Sequence, residues 1–135
     1  MPHSADRPLS PHLQVYRPMY TMVLSILHRL SGLYLSACGF LFVVWISAAA
    51  LGPDAFACAT SFFSGLPMRI VLTGALAAFW YHLFAGMRHL AWDAGFGFEK
   101  KVARRSGALV IVLAVAACAA TLLLTPAGRF LAGLP

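Results

Sequence analysis

The residues best suited to chemistry lie in one stretch, Tyr81-His82-Leu83-Phe84-Ala85-Gly86-Met87-Arg88-His89-Leu90-Ala91-Trp92-Asp93, where two histidines, an arginine and an aspartate close an otherwise uncharged apolar run. A neutral imidazole can offer a nitrogen lone pair to haem iron, while arginine and aspartate can hold charge or relay protons. On a helix of about 3.6 residues per turn, His82, Gly86, His89 and Asp93 share one narrow stripe, with Leu83, Phe84, Leu90 and Ala91 on other faces. A polar stripe on a membrane-spanning helix must face a protein interior, a cofactor or a water-filled cavity.

A second cluster, Ser25-Ile26-Leu27-His28-Arg29-Leu30-Ser31-Gly32, has the same character. The spacing of Ser25, His28, Arg29 and Gly32 sets them on one helix face. A hydroxyl and a guanidinium there could donate to the carbonyl oxygens of a quinone entering from lipid. Equally, Arg29 could snorkel to the interface and Ser25 bond back to its own helix.

His82 has two readings as well: axial ligand to haem iron, or hydrogen-bond partner of a neighbouring helix. Gly86, one turn away, leaves room for a flat macrocycle, whose propionates would reach toward His28, Arg29 or His89. For a lone histidine in a span the packing role is commoner, but the company on this stripe favours the ligand. Asp93 can pair with Arg88 or His89, or help relay protons. Trp45, Trp80 and Trp92 read as interface or packing residues.

The elements that must position these groups are membrane helices. Of 135 residues, 61% are hydrophobic and only 10% charged, which is too apolar for a soluble core and enough for about three spans. The formal charge of +6 is gathered at the ends of apolar runs, without a basic stripe interleaved with aromatics, so topology rather than nucleic acid accounts for it. Cys38, Cys58 and Cys118 lie in separate segments without CxxC or CxxCH spacing and read as free thiols, neither a zinc site nor a covalent haem attachment. The first apolar run lacks a signal-peptide cleavage site, and no Arg/Ser-rich transit peptide is evident.

The fold expected is therefore all-α: an N-terminal arm over 1–20, punctuated by Pro2, Pro8, Pro11 and Pro18, then a three-helix transmembrane domain over 21–135 with spans near 21–51, 66–92 and 107–125. Gly52-Pro53-Asp54 opens a connection without Lys or Arg, Ala94 to Arg105 forms a basic loop, and Pro126 ends the third span before a short tail. Lys100, Lys101, Arg104 and Arg105, with Arg7 and Arg17, outweigh Arg69 and Arg129 on the other face, which puts the N-terminus in the cytoplasm and the C-terminus outside. Antiparallel spans one and two then bring their polar ends together at the cytoplasmic face. His82 lies deeper, about 15 Å from the end of its helix, and His28 reads as too shallow to share an iron with it.

These blocks carry a resemblance. Arg7-Pro8-Leu9-Ser10-Pro11-His12-Leu13-Gln14-Val15-Tyr16, the segment Ser25 to Gly32, and His82 with Gly86, Arg88, His89 and Asp93 resemble, in order and spacing, the cytochrome b membrane-anchor subunit of succinate dehydrogenase, respiratory complex II. The resemblance spans essentially the whole chain and implies one half of a heterodimeric anchor bundle. It implies that His82 is an axial ligand of haem b, shared with a second anchor subunit that supplies the other ligand. Ser25 and Arg29 match the ubiquinone-site residues, His28 and Arg29 match groups near the haem propionates, and His89, Arg88 and Asp93 match the remaining polar positions of the motif. The arm resembles the segment that meets the iron–sulfur subunit.

The activity implied is succinate:ubiquinone oxidoreduction. FAD and iron–sulfur clusters belong to the flavoprotein and iron–sulfur subunits, consistent with the absence here of a GxGxxG fingerprint and of a cysteine ligand set. The chain itself would anchor those subunits, bind half of the haem and shape half of the quinone pocket in a bacterial inner membrane, with a mitochondrial inner membrane as the other setting. Two different expectations stand beside this one: a fumarate reductase anchor that oxidises quinol, and a cofactor-free scaffold or small channel component in which the histidines only pack helices.

Overall fold

Among the described residues, three helices are long and apolar enough to cross a membrane, and the middle one packs against both others. The computed structural model describes residues 16–134; the greater part of the expected arm, through Val15, lies outside the described residues. Those residues form α1 (Tyr20–Leu51), α2 (Pro53–Ser64), α3 (Leu66–Asp93), α4 (Lys100–Leu124) and α5 (Pro126–Ala132), with no strand among them. Helices α1, α3 and α4 contain 32, 28 and 25 residues. At 1.5 Å per residue they run about 48, 42 and 38 Å, so their ends pass beyond a hydrocarbon core of about 30 Å.

The boundaries follow from local chemistry. Gly52, at φ +120°, ends α1 in a conformation that L side chains resist, and Pro53 then starts α2 where a missing N–H costs nothing. The sequence alone predicts a plain connection over 52–65; instead residues 53–64 are helical, with Asp54 in the first turn to complement the helix dipole. At about 18 Å, this helix is too short to span a bilayer.

Helix α3 ends in a Schellman turn. Gly95, at φ +87°, donates its N–H to the Trp92 carbonyl while Phe96 N–H reaches the Ala91 carbonyl. The loop that follows is shorter than the sequence suggested, because α4 starts at Lys100 rather than near Gly107. Lys100, Lys101, Ala103, Arg104 and Arg105 all favour helix, and long cationic stems can leave a helix end for water. Hydropathy marks where lipid begins, whereas propensity marks where the helix begins. The short tail is helical as well: the Thr125 hydroxyl accepts from Gly128 N–H, Pro126 takes the first position, and Gly133 at φ +72° closes α5.

Small side chains set the packing. The buried apolar residues are Leu24, Ala85, Ala103, Val110 and Ala114, whereas Leu33, Phe40, Phe42 and Val44 point outward from α1. This is the pattern of a membrane bundle, where small residues let helix backbones approach. Helix α1 crosses α4 at Gly107, where an added Cβ would sit 2.6 Å from Leu24 Cδ1 and 2.9 Å from Tyr20 Cε1. Tyrosine hydroxyls fix the register between helices: Tyr81 donates to the Leu24 carbonyl (2.8 Å) and Tyr34 to the Val71 carbonyl (2.9 Å). Trp80 Nε1 reaches Thr121 Oγ1 at 3.0 Å across α3 and α4. Arg69, on the first turn of α3, donates to the Leu131 carbonyl and lies 5.4 Å from the centre of the Phe130 ring, so it ties α5 back to the bundle.

Candidate functional site

The stripe on α3 faces α1, and the residues that meet there are histidines. His82 Nδ1 is 3.1 Å from the carbonyl oxygen of His28 and 3.1 Å from Ser31 Oγ. A carbonyl can only accept, so Nδ1 carries the hydrogen in this geometry and Nε2 keeps its lone pair. Ser31 is itself held, donating to the same His28 carbonyl at 2.7 Å and thereby turning an oxygen lone pair toward His82. Gly32 makes the approach possible, because a Cβ there would come within 2.9 Å of His82 Cε1.

Around His82 the rings continue in series. His28 stacks on His82 with centroids 4.1 Å apart and planes 17° from parallel. His89 is tilted against His28 at 4.8 Å, and Trp92 meets His89 edge-on at 5.1 Å. Gly86 lies under this row, its ideal Cβ position 3.7 Å from His28 Nε2. That nitrogen is buried and has no hydrogen-bond partner among the described residues. A buried nitrogen without a partner is uncommon in folded proteins.

Several expectations need correction. His28 is not shallower than His82 in any way that separates them, since their rings are in contact. Helix α1 begins at Tyr20, which puts His28 about 12 Å along its helix against about 16 Å for His82 from the end of α3, a difference smaller than one helical turn. Their face-to-face stacking aims neither ring's nitrogens at the other, so as placed the two rings do not offer opposed lone pairs to one metal. Arg88 does not reach for Asp93. It turns inward, donating from Nε to Ser106 Oγ (3.0 Å) and from a terminal nitrogen to the Ala103 carbonyl (2.9 Å), and it lies 3.9 Å from the Trp92 ring centre. A guanidinium shielded from water takes the nearest carbonyl and π face, while Asp93 stays exposed at the helix end.

The expected face of α1 is broader than a single stripe. His28 and Gly32 turn toward α3, Ser25 is half-buried, and Arg29 is exposed. Ser25 and Arg29 make no hydrogen bond to the histidine row among the described residues. An open groove of about 700 Å³ lies nearby between Tyr20, Trp92, Phe98 and Arg104, but its lining includes neither of them.

Two participants are not evident from sequence alone. Ser31 was visible three residues beyond His28, yet its role needs the partner helix to be in place. Trp92 read as packing, and it does pack, but as a continuation of the histidine row that also bonds to the Gly97 carbonyl at 3.3 Å. A side chain common at membrane interfaces gives no sign of this in sequence alone.

Comparison with known proteins identifies the family. Residues 3–121 match the family described as succinate dehydrogenase/fumarate reductase transmembrane subunit. The chain is 44% identical over 118 residues to the succinate dehydrogenase cytochrome b556 subunit of Paracoccus denitrificans, covering 87% of this chain and 91% of that one. It is 37% identical over 114 residues to the cytochrome b560 subunit of Reclinomonas americana, covering 81% and 79%, and 35% identical over 109 residues to the b556 subunit of Rickettsia prowazekii, covering 81% and 85%. With three membrane-length helices, and a match that runs through both histidine-bearing helices and most of α4, the chain belongs to the family of succinate dehydrogenase/fumarate reductase transmembrane subunits.

Proposed function

We propose that this chain is the cytochrome b anchor of a succinate:ubiquinone oxidoreductase in a bacterial inner membrane, with its N-terminus in the cytoplasm. It binds haem b through His82 together with a second anchor subunit, and it forms part of the site where ubiquinone is reduced. The observation that carries this reading is the fixing of His82 Nδ1 between the His28 carbonyl and Ser31 Oγ, which leaves Nε2 as the free donor. The residues present fit the group: one oriented imidazole lone pair, an unpartnered buried nitrogen on His28 suited to a propionate, and His89 beside it. When bound, haem supplies a one-electron store within the membrane.

The chain's own residues do the rest. Ser31 and the His28 carbonyl hold the tautomer and ring plane of His82. Arg29, exposed beside the histidine row, and Ser25, one turn before it, donate to a quinone carbonyl oxygen and stabilise the negative charge that develops there on reduction. Asp93, exposed at the cytoplasmic end of α3, is placed to exchange protons with water. FAD and the iron–sulfur clusters lie in the flavoprotein and iron–sulfur subunits, whose electrons reach the quinone at this face, and the N-terminal arm meets the iron–sulfur subunit.

The test is a dithionite-reduced minus oxidised visible spectrum of the detergent-solubilised complex, purified through this subunit with its partners attached. A b-type α-band co-eluting with succinate-driven ubiquinone reduction is the expected result. Partner subunits present without a haem signal would return His82 to helix packing.

A further inference from the structure

Among the described residues, Arg88 is the one charged side chain that is buried. A guanidinium in such a place is costly unless its donors are met. Two of them are, by Ser106 Oγ and the Ala103 carbonyl of α4, and its flat face covers Trp92 at 3.9 Å. None of these partners is Ser25 or Arg29. What Arg88 touches instead is the outer end of the ring series, since Trp92 meets His89, His89 meets His28, and His28 stacks on His82.

We propose that Arg88 is a positioning residue for the haem ligand: it clamps the Trp92 indole against His89, and through His89 and His28 it sets the ring orientation of His82. The proposal rests on the reading of His82 given above. Three observations support it. Trp92 is held on both faces of its job, by the Arg88 cation on one hand and by its Nε1 bond to the Gly97 carbonyl on the other. Each ring in the series is in direct contact with the next, so a rotation of the indole is passed on rather than absorbed. Beside the pair lies a groove of about 330 Å³, lined by Phe84, Arg88, Trp92, Phe96, Ser106 and Leu109, which gives a released indole somewhere to go. Lysine cannot replace the arginine fully, because a point charge on a flexible stem cannot bond two acceptors and cover a ring together.

The experiment compares the purified complex carrying Arg88→Gln, Arg88→Lys or Trp92→Leu with the parent, reading the haem α-band maximum, the electron paramagnetic resonance g-values and the midpoint potential. Arg88→Gln and Trp92→Leu should shift all three in the same direction, with Arg88→Lys between them and the parent. A strut that merely joined α3 to α4 would lower stability and leave these signatures in place. Haem-loaded Arg88→Gln complex with parental spectrum and potential would overturn the proposal. Should Arg88→Gln fail to assemble, Trp92→Leu decides alone, because it leaves both Arg88 bonds to α4 intact: a shift supports the clamp, parental signatures overturn it. A parent complex without haem would instead sink the reading of His82, and the clamp with it, before any variant is compared.

Discussion

His28 lies face to face with His82, ring centroids 4.1 Å apart, although the two residues are separated by 54 positions and belong to different helices. The contact divides their chemistry. His82 has Nδ1 tied to oxygen acceptors and Nε2 left free, whereas His28 contributes its carbonyl to that tie and keeps a buried Nε2 without a partner. On the function proposed above, the first ring is the ligand and the second stands beside it.

Gly32 is the residue that lets His82 reach this position. In a Gly32→Ala variant the new methyl would stand 2.9 Å from His82 Cε1, closer than side chains tolerate, and the imidazole must swing off Ser31 and the His28 carbonyl. The expected outcome is haem content reduced several-fold in the purified complex by pyridine haemochrome assay. Gly39→Ala, where no heavy atom lies within 4 Å, should leave haem content at the parental level.

Gly107 carries the crossing of α1 over α4. Gly107→Val would drive a branched side chain into Leu24 and Tyr20, and overpacking of this kind costs about 1–3 kcal/mol. Thermal inactivation of the detergent-solubilised complex should occur at lower temperature, with any correctly assembled fraction keeping its haem spectrum.

Arg29 is exposed beside the histidine row and makes its contribution, on this account, to quinone rather than to the fold. Arg29→Leu should suppress succinate-driven ubiquinone reduction at least tenfold while sparing succinate oxidation by a soluble artificial acceptor. Loss of one good charge-assisted donor to a developing oxyanion is worth a factor of about 10²–10³ in other systems. Equal loss of both activities would mean a failure of assembly.

Much of this arrangement is legible in the sequence. The three spans are evident from apolar runs long enough for a bilayer, and the stripe on α3 does turn His82, Gly86 and His89 toward α1. Helix starts were harder, because α4 opens with cationic residues that hydropathy assigns to a loop and propensity assigns to a helix. The direction of Arg88 was hidden for a related reason. Asp93 is five positions away in the same element, but the acceptors Ala103 and Ser106 come from a helix whose packing no local pattern reveals. Depth is a poor guide to His28 and His82, because a difference of less than one helical turn does not keep two side chains apart.

The central claim is that His82 Nε2 is the haem ligand of this chain. It is tested most directly by the reduced minus oxidised spectrum of complex carrying His82→Ala, purified through this subunit with the presence of its partners checked by gel. The account predicts that the b-type α-band is lost or strongly altered while the subunit remains in the membrane with its partners. An α-band unchanged in position and amplitude would remove His82 from the ligand role, and with it the meaning given to Ser31 and the His28 carbonyl.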